Sequence, residues 1–372
     1  MKDEGYRFPE GLVPSEIREV AVSLSKPCLA MAQKFDDLLS SLKKIAEDKS
    51  QDVLSTRIEQ WQSVLGANFH RAEVNYALWA RYGHCDDVAK PPQARWLRRV
   101  ESQSVSDIEV CSSPIIAADV LDQYLWRRCF SVVITSATLS VAGKFDRFKM
   151  QTGVSENSRF CSFDSPFDFQ NAGLLVVPSL ACDPSDVEAH TQAIVDYIHQ
   201  EVIVDQGTLV LFSSRRQMET VYESMSSVYQ DLALVQGEQS KQLIIRAHRE
   251  RIDEGGGGII FGLASFAEGI DLPGRYLDHV VIARIPFSVP TEPAAAALFE
   301  WLEHEGRNPF LEVSVPDAAM RLIQACGRLL RSEDDSGRIA LLDRRIVSRR
   351  YGKSILEALP PFRRQIMAPV NE

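Results

Sequence analysis

Residues 208–216 read Thr-Leu-Val-Leu-Phe-Ser-Ser-Arg-Arg, an apolar run that ends in two hydroxyl side chains and the start of a predicted helix. Similar short apolar runs recur along the chain, and the segments between them can hold helices of about 10 to 15 residues. Strands that alternate with helices in this way indicate a parallel sheet covered on both faces. The sequence therefore predicts an α/β fold, with strands at Leu174–Val177, Leu209–Phe212, Leu232–Val235, Ile259–Phe261, His279–Ile285 and Ile339–Leu342.

The N-terminal part of the chain has a different pattern of apolar residues. Apolar residues recur at helical spacing from Ser15 to about Leu65, so we expect helical structure there. The stretch Gly66–Ser113 is mixed, with a break at Pro91-Pro92 and a strand predicted at Trp96–Val100. A further apolar helix is expected from Ile115 to about Trp126.

Charge and cysteine content exclude several classes of protein. The chain has 372 residues and a net charge of −10, which argues against nucleic-acid binding over the whole surface and leaves room only for local contacts. Residues 321–364 carry eleven basic and five acidic side chains, a net charge of +6 that local phosphate binding would require. The seven cysteines form no CxxC pair, so we expect no metal site and reduced thiols in a cytoplasmic protein. No secretion signal or membrane-spanning run is legible.

In a parallel sheet, functional residues lie beyond the carboxyl ends of the strands. Ser131–Thr135 is predicted to be a buried strand that leads into Ser136 and Thr138, although hydroxyls there could simply complete a turn. Ser214 follows the strand at Leu209–Phe212, where it could hold a phosphate, cap the next helix, or do both.

Two further constellations carry charge. Residues 261–271 read Phe-Gly-Leu-Ala-Ser-Phe-Ala-Glu-Gly-Ile-Asp, a loop in which we expect Phe266 to be exposed. Residues 324–331 read Gln-Ala-Cys-Gly-Arg-Leu-Leu-Arg and are predicted to be helical, so that Gln324, Arg328 and Arg331 share a face. Two such guanidinium groups suit a triphosphate. A solvated basic helix face would explain the arginines but not the glutamine and the glycine.

These four segments, in this order, resemble helicase motifs III to VI of the second helicase superfamily. Their amino-acid sequences are similar to those of the DinG-type helicases. The resemblance covers residues 114–364, while the helical segment Ser15–Leu65 resembles the Arch insertion of that family by position only. It implies two RecA-like motor domains, with ATP and magnesium held between them, that move 5′ to 3′ on single-stranded DNA. We therefore expect an Arch-like segment with the return into the first motor domain at 1–113, the end of that domain at 114–170, and a complete second RecA-like domain at 171–372.

The resemblance also assigns roles to individual residues. The side chains that would face the nucleotide phosphates are Gln324, Arg328 and Arg331, with Glu268, Gly269, Asp271 and Gly327 beside them. Those that would face the DNA strand are Ser136, Thr138, Ser214, Ser265 and Phe266.

One part of the family pattern is not found in these 372 residues. ATP hydrolysis needs a glycine-rich loop with Lys and Ser/Thr, and acidic residues for magnesium. Gly352-Lys353-Ser354 imitates the end of the loop, but Val347 occupies the position of its first glycine. Asp253-Glu254 follows a charged helix rather than a buried strand. The family's iron–sulfur cluster needs four cysteines upstream of the Arch, so we expect no cluster in this chain.

We therefore predict a DinG-type helicase half that is inactive alone and needs the other half, supplied in trans, for its ATP and Mg²⁺ chemistry. A truncated gene, a split helicase and a cloned fragment would all look like this. Two alternatives stay open: a non-catalytic scaffold that binds single-stranded DNA, and an unrelated α/β nucleotide-binding protein. A membrane partner is not expected.

Overall fold

The computed structural model describes residues 5–47, 55–86, 91–101, 106–141, 143–180, 182–263, 266 and 268–367. The chain divides into two compact units, residues 1–117 with 290–308, and residues 118–289 with 309–372. The inclusion of residues 290–308 in the first unit could not be anticipated from local sequence, because it depends on contacts that are distant along the chain. The three functional segments expected above stay a prediction.

The first unit combines a pair of long helices with a small antiparallel sheet. Helices α1 (Ser15–Glu47) and α2 (Ser55–Gly83) pack against each other. The sheet has the order β1-β2-β3, and its strands are β1 (Gly5–Arg7), β2 (Gln93–Glu101) and β3 (Ser106–Pro114). The buried Tyr82 anchors α2 to this sheet, since its hydroxyl lies 2.7 Å from the carbonyl oxygen of Cys111.

The helical prediction for this region is confirmed over α1 but stops too early in α2. Gly66 does not end α2, which continues to Gly83. A glycine inside a helix costs only about 1 kcal/mol, and the packing of buried Ile58, Ala72 and Tyr82 outweighs that cost. The strand predicted at Trp96–Val100 is confirmed within β2, whereas β3 was not predicted.

The second unit contains a seven-stranded parallel sheet of order β10-β4-β9-β8-β5-β7-β6. All six predicted strands are confirmed, with shifted ends, and the edge strand β10 is additional. The strands are β4 (Gly173–Val177), β5 (Gly207–Phe212), β6 (Ala233–Val235), β7 (Gly258–Leu263), β8 (His279–Ile282), β9 (Gly337–Leu341) and β10 (Arg363–Ile366).

Helices cover both faces of this sheet, which explains why strands β4 to β9 are largely apolar. The helices of the second unit are α3 (Ala118–Tyr124), α4 (Asp146–Thr152), α5 (Phe169–Ala172), α6 (Val187–Glu201), α7 (Arg215–Ser224), α8 (Ser227–Leu232), α9 (Lys241–Asp253), α11 (Val315–Cys326), α12 (Arg345–Ser348) and α13 (Arg350–Ala358). Helix α10 (Pro293–His304) belongs to the first unit.

Alternate side chains of β5 show how the two faces are built. Leu209 and Leu211 belong to one buried cluster, together with residues of α9, α11 and α13. Val210 and Phe212 belong to a second cluster on the other face, with residues of α6 and α7. The α/β fold class is therefore confirmed.

The prediction of a buried strand at Ser131–Thr135 is wrong. These residues form no strand, and the side chains of Val132 and Val133 are 43% and 91% exposed. A β-branched run becomes a strand only when a neighbouring strand pairs with it, and no such neighbour is present in the described part of the chain.

No helix in the part of the chain that the structure describes is both long enough and apolar enough to cross a bilayer.

Candidate nucleotide and nucleic-acid site

The two arginines of the 324–331 segment meet the loop that follows β7. Arg328 Nη1 donates to the carbonyl oxygen of Ile270 at 3.1 Å, and Arg331 Nη2 donates to the same oxygen at 2.7 Å. Arg331 Nε also lies 3.7 Å from a carboxylate oxygen of Asp271. The structure thus brings both arginines together with Asp271, as the sequence predicts.

The arginines lie in a turn and not on the predicted helix. Helix α11 ends at Cys326, and Gly327 begins a turn that carries Arg328 and Arg331 beyond the helix. Gln324 is therefore the member of this group that lies on the helix, where its Nε2 is 3.5 Å from Thr138 Oγ1. Gly327 is exposed, and a side chain added to it would meet only carbonyl oxygens of its own helix end.

A buried carboxylate fixes the turn that carries Arg331. Asp335 is 5% exposed, and its Oδ2 accepts from the backbone N–H groups of Arg331 at 2.6 Å and Ser332 at 2.9 Å. Its Oδ1 accepts from the backbone N–H of Gly274 at 3.0 Å and from the Ser332 hydroxyl at 2.6 Å. These hydrogen bonds lower the pKa of Asp335 against the opposing effect of burial. The carboxylate therefore ties Arg331 to the β7–β8 connection.

Lys241 is a further cation that sequence reasoning missed. It is the first residue of α9, and its Nζ donates to the carbonyl oxygen of Glu268. Partial burial, and then the nearby charge of Arg328, lower the pKa of Lys241. The Ser240 N-cap in front of it was the available signal, because a cation at a helix start opposes the helix dipole and calls for another partner.

Arg328 lies in an environment that disfavours its positive charge. Burial and the charge of Arg331 lower its pKa, while Glu268 and Asp271 raise it. Its Nε atom is buried and has no hydrogen-bond partner. The two guanidinium groups together carry the charge and the N–H donors that suit a nucleotide phosphate.

The acidic members of the loop are placed beside these cations. Glu268 and Gly269 are exposed, and Gly269 has a φ of +73°, a conformation that favours glycine. Magnesium would need carboxylates that are free to coordinate it. In the described residues, no group of three or more His, Cys, Asp or Glu side chains could hold a metal ion.

The expectation that Phe266 is exposed is wrong. Its ring is 5% exposed and belongs to the cluster beneath α9 and α11. Gly262 makes room for it, since a Cβ at that position would lie 2.7 Å from Phe266 Cδ1. The ring therefore anchors the loop from below, while Lys241 Nζ lies 5.1 Å from its centroid.

The remaining DNA-facing candidates are dispersed. Ser136 is exposed, Thr138 contacts Gln324, and Ser265 lies outside the described residues. Ser214 is the N-cap of α7 and accepts from the backbone N–H of Gln217 at 3.4 Å. A hydroxyl in this role can still donate its proton to a ligand.

Comparisons with known proteins show what this chain is similar to. Residues 198–362 match the helicase C-terminal domain family. The chain is 37% identical to the ATP-dependent DNA helicase DinG of Photobacterium profundum, over 98% of this chain and 53% of that protein. It is 32% identical to DinG of Salmonella typhimurium, over 96% of this chain and 50% of that protein. The chain thus spans about half the length of the curated relatives it matches.

Solved structures show the same fold. An XPD helicase aligns with a TM-score of 0.52 at 14% identity, covering 98% of this chain and 65% of that one. An apo XPD structure aligns with a TM-score of 0.53 at 15% identity, covering 98% and 73% of the two chains.

The parallel sheet and the family match over residues 198–362 define the class, a helicase C-terminal domain of RecA-like fold. More particularly, the chain belongs to the DinG-type helicases and corresponds to their C-terminal portion.

Proposed function

We propose that this chain supplies the C-terminal half of an ATP-dependent DNA helicase that moves 5′ to 3′ along single-stranded DNA in the cytoplasm. The observation that carries the proposal is the meeting of Arg328 and Arg331 on the loop that holds Glu268 and Asp271. Two guanidinium groups fixed at one point suit the changing charge of a triphosphate.

In this proposal the nucleotide lies against the arginine-bearing turn. Arg331 reaches the γ-phosphate and Arg328 binds an adjacent phosphate oxygen. Gln324 faces the nucleotide phosphates from the end of α11. Glu268, Gly269, Asp271 and Gly327 shape the surrounding surface. Magnesium would neutralise phosphate charge during the reaction, and its ligands and the glycine-rich loop come from the other half of the helicase.

Single-stranded DNA is the second proposed ligand. Ser214, at the carboxyl end of β5, offers a hydroxyl and the start of α7 to a backbone phosphate. Ser136, Thr138 and Ser265 are proposed as further contacts. Phe266 acts indirectly, because its ring is buried in the cluster beneath α9 and α11.

The other half of the helicase is the proposed protein partner, supplied in trans. Phe130 and Val133 are fully or almost fully exposed, at 106% and 91%, although their types are usual in a core. An extended apolar segment of this kind is suited to pairing with a strand of that half.

The experiment combines the purified chain with the separately produced N-terminal portion of the Photobacterium profundum relative that this chain does not match. We expect ATP-dependent unwinding of a duplex with a 5′ single-stranded tail and little unwinding of one with a 3′ tail. Equal unwinding of both substrates would contradict the polarity.

A non-catalytic scaffold that binds single-stranded DNA is the second candidate, favoured by the absence of a glycine-rich phosphate loop from these 372 residues. Oligonucleotide binding that persists while the combined halves show neither unwinding nor ATP turnover would select it.

A further inference from the structure

A cavity of about 1000 Å³ lies beside the N-terminal turns of α6 and α7. Ser214, Gln217 and Arg284 contribute to its wall. It belongs to the sheet face covered by α6 and α7, whereas the arginine-bearing turn follows α11 on the opposite face. The cavity is therefore separate from the proposed nucleotide site.

Gln217 lines this cavity, and the Oε1 atom of its side chain is buried and unpartnered. The residue as a whole is 3% exposed. His190 Nε2 lies 2.8 Å from the carbonyl oxygen of Leu342, which can only accept, so this nitrogen carries the proton and Nδ1 is an acceptor. Gln217 must turn its Nε2 towards His190 Nδ1, at 3.1 Å, which leaves Oε1 in need of a donor.

Arg284 is a half-buried cation without a carboxylate partner. Its Nε donates to His190 Nδ1 at 3.4 Å, and its buried Nη2 has no partner. In the described part of the chain it forms no ion pair within 4.0 Å. Of the nearby carboxylates, Asp343 is paired with Arg345 at 2.7 Å and Asp183 lies 3.9 Å from Arg349. Burial and the charge of Arg345 lower the pKa of Arg284, and an anion would reverse this effect.

We propose that this cavity binds a single phosphate group that carries a hydroxyl, with Arg284 as its principal ligand. The phosphate oxygens accept from Arg284 and from exposed Arg216, and the hydroxyl donates to Gln217 Oε1. Asp186 and Glu188 also line the cavity, so a polyphosphate would be repelled. Hydrogen phosphate has this chemistry, and so does the terminal phosphate of a DNA strand in its singly protonated form, whose pKa is about 6. Only the DNA source depends on the proposed DNA binding.

The test compares the full chain with Arg284→Gln and with the control Arg246→Gln, which removes an exposed cation from α9. Titration calorimetry with inorganic phosphate, at constant ionic strength in chloride, should show binding to the wild type and to Arg246→Gln. Arg284→Gln should bind at least ~10-fold more weakly, since a charge-assisted hydrogen bond contributes about 1.5–3 kcal/mol. Arg284→Lys should fall between them, because it keeps the charge and loses the fork.

A second measurement identifies the source. Fluorescence anisotropy compares one oligothymidylate with a 5′-phosphate and with a 5′-hydroxyl. A preference for the phosphorylated strand that Arg284→Gln abolishes assigns the site to a DNA end. Binding of inorganic phosphate without that preference assigns it to the free ion, and this result stands even if the chain binds no DNA. Equal behaviour of correctly folded Arg284→Gln and Arg246→Gln with both probes would overturn the proposal, and circular dichroism checks the folding.

Discussion

Two side chains that stand three residues apart can be brought together by one face of a helix or by a turn. The spacing of Arg328 and Arg331 suggests the helix, but the chain leaves the helix at Gly327 and the shared carbonyl of Ile270 brings the arginines together. Local spacing could not reveal Asp335 as the group that fixes the turn. Its partner Gly274 lies 61 residues away in the chain.

At the same scale, Phe266→Ala should destabilise the fold rather than act selectively on DNA. Removing a buried aromatic ring costs about 3–5 kcal/mol of the free energy of unfolding. Phe163→Ala is the matched control, because that ring is 89% exposed and should change stability little. Urea unfolding measures both variants. If Phe266→Ala kept normal stability but lost DNA affinity, the result would support the expectation from the sequence that the ring is exposed and contacts DNA.

Among the elements, those buried on both faces were the most predictable. The apolar runs of β4 to β9 give six correct strands, because helices cover both faces of the sheet and bury most of the side chains in these strands. The residues at 131–135 carry the same signal and form no strand, since a strand also needs a neighbour that local sequence does not specify. The polar edge strand β10 escaped prediction for the converse reason: it has exposed polar residues and depends on pairing with β4.

Ser214, at the start of helix α7, is proposed to have two roles, as the N-cap of the helix and as a contact for DNA. Ser214 and Ser240 each accept from a backbone N–H at 3.4 Å, as N-caps of α7 and α9. Substitution of either by alanine should cost about 1 kcal/mol of the free energy of unfolding. Only Ser214→Ala should also weaken binding of oligothymidylate, measured by anisotropy at fixed salt. Equal DNA affinities of the two variants would reduce Ser214 to a cap.

For the molecule as a whole, buried histidines set a limit to acid stability. Burial lowers the pKa of His279 to about 3, with a smaller contribution from Arg338, and burial also lowers the pKa values of His190 and His248. The unfolded state titrates near the ordinary histidine pKa of about 6.5. It therefore binds protons that the folded state does not bind, so stability is complete above that pH and is lost as the pH falls towards 3.

Unfolding free energies measured across this range should decrease steeply for the wild type. The free energy of unfolding of His279→Asn should decrease less steeply with falling pH, because unfolding of this variant takes up as much as about one proton fewer. Asparagine is shorter than histidine and loses the contact of Nε2 with the Tyr197 hydroxyl, 3.2 Å in the wild type, so the overall stability of the variant falls while the pH slope is still the quantity compared. Identical slopes for the two proteins would mean that His279 is not the group responsible.

The central claim is that this chain completes an ATP site with Arg331. The most direct measurement is ATP hydrolysis stimulated by single-stranded DNA, for the chain alone, the N-terminal portion of the Photobacterium profundum relative alone, and the two combined. We expect turnover only in the combination, and a loss of roughly 10³-fold or more with Arg331→Ala. Arg331→Lys should not restore it, because a point charge cannot replace the planar fork. Turnover by the chain alone, or a combination in which Arg331→Ala is fully active, would contradict the account.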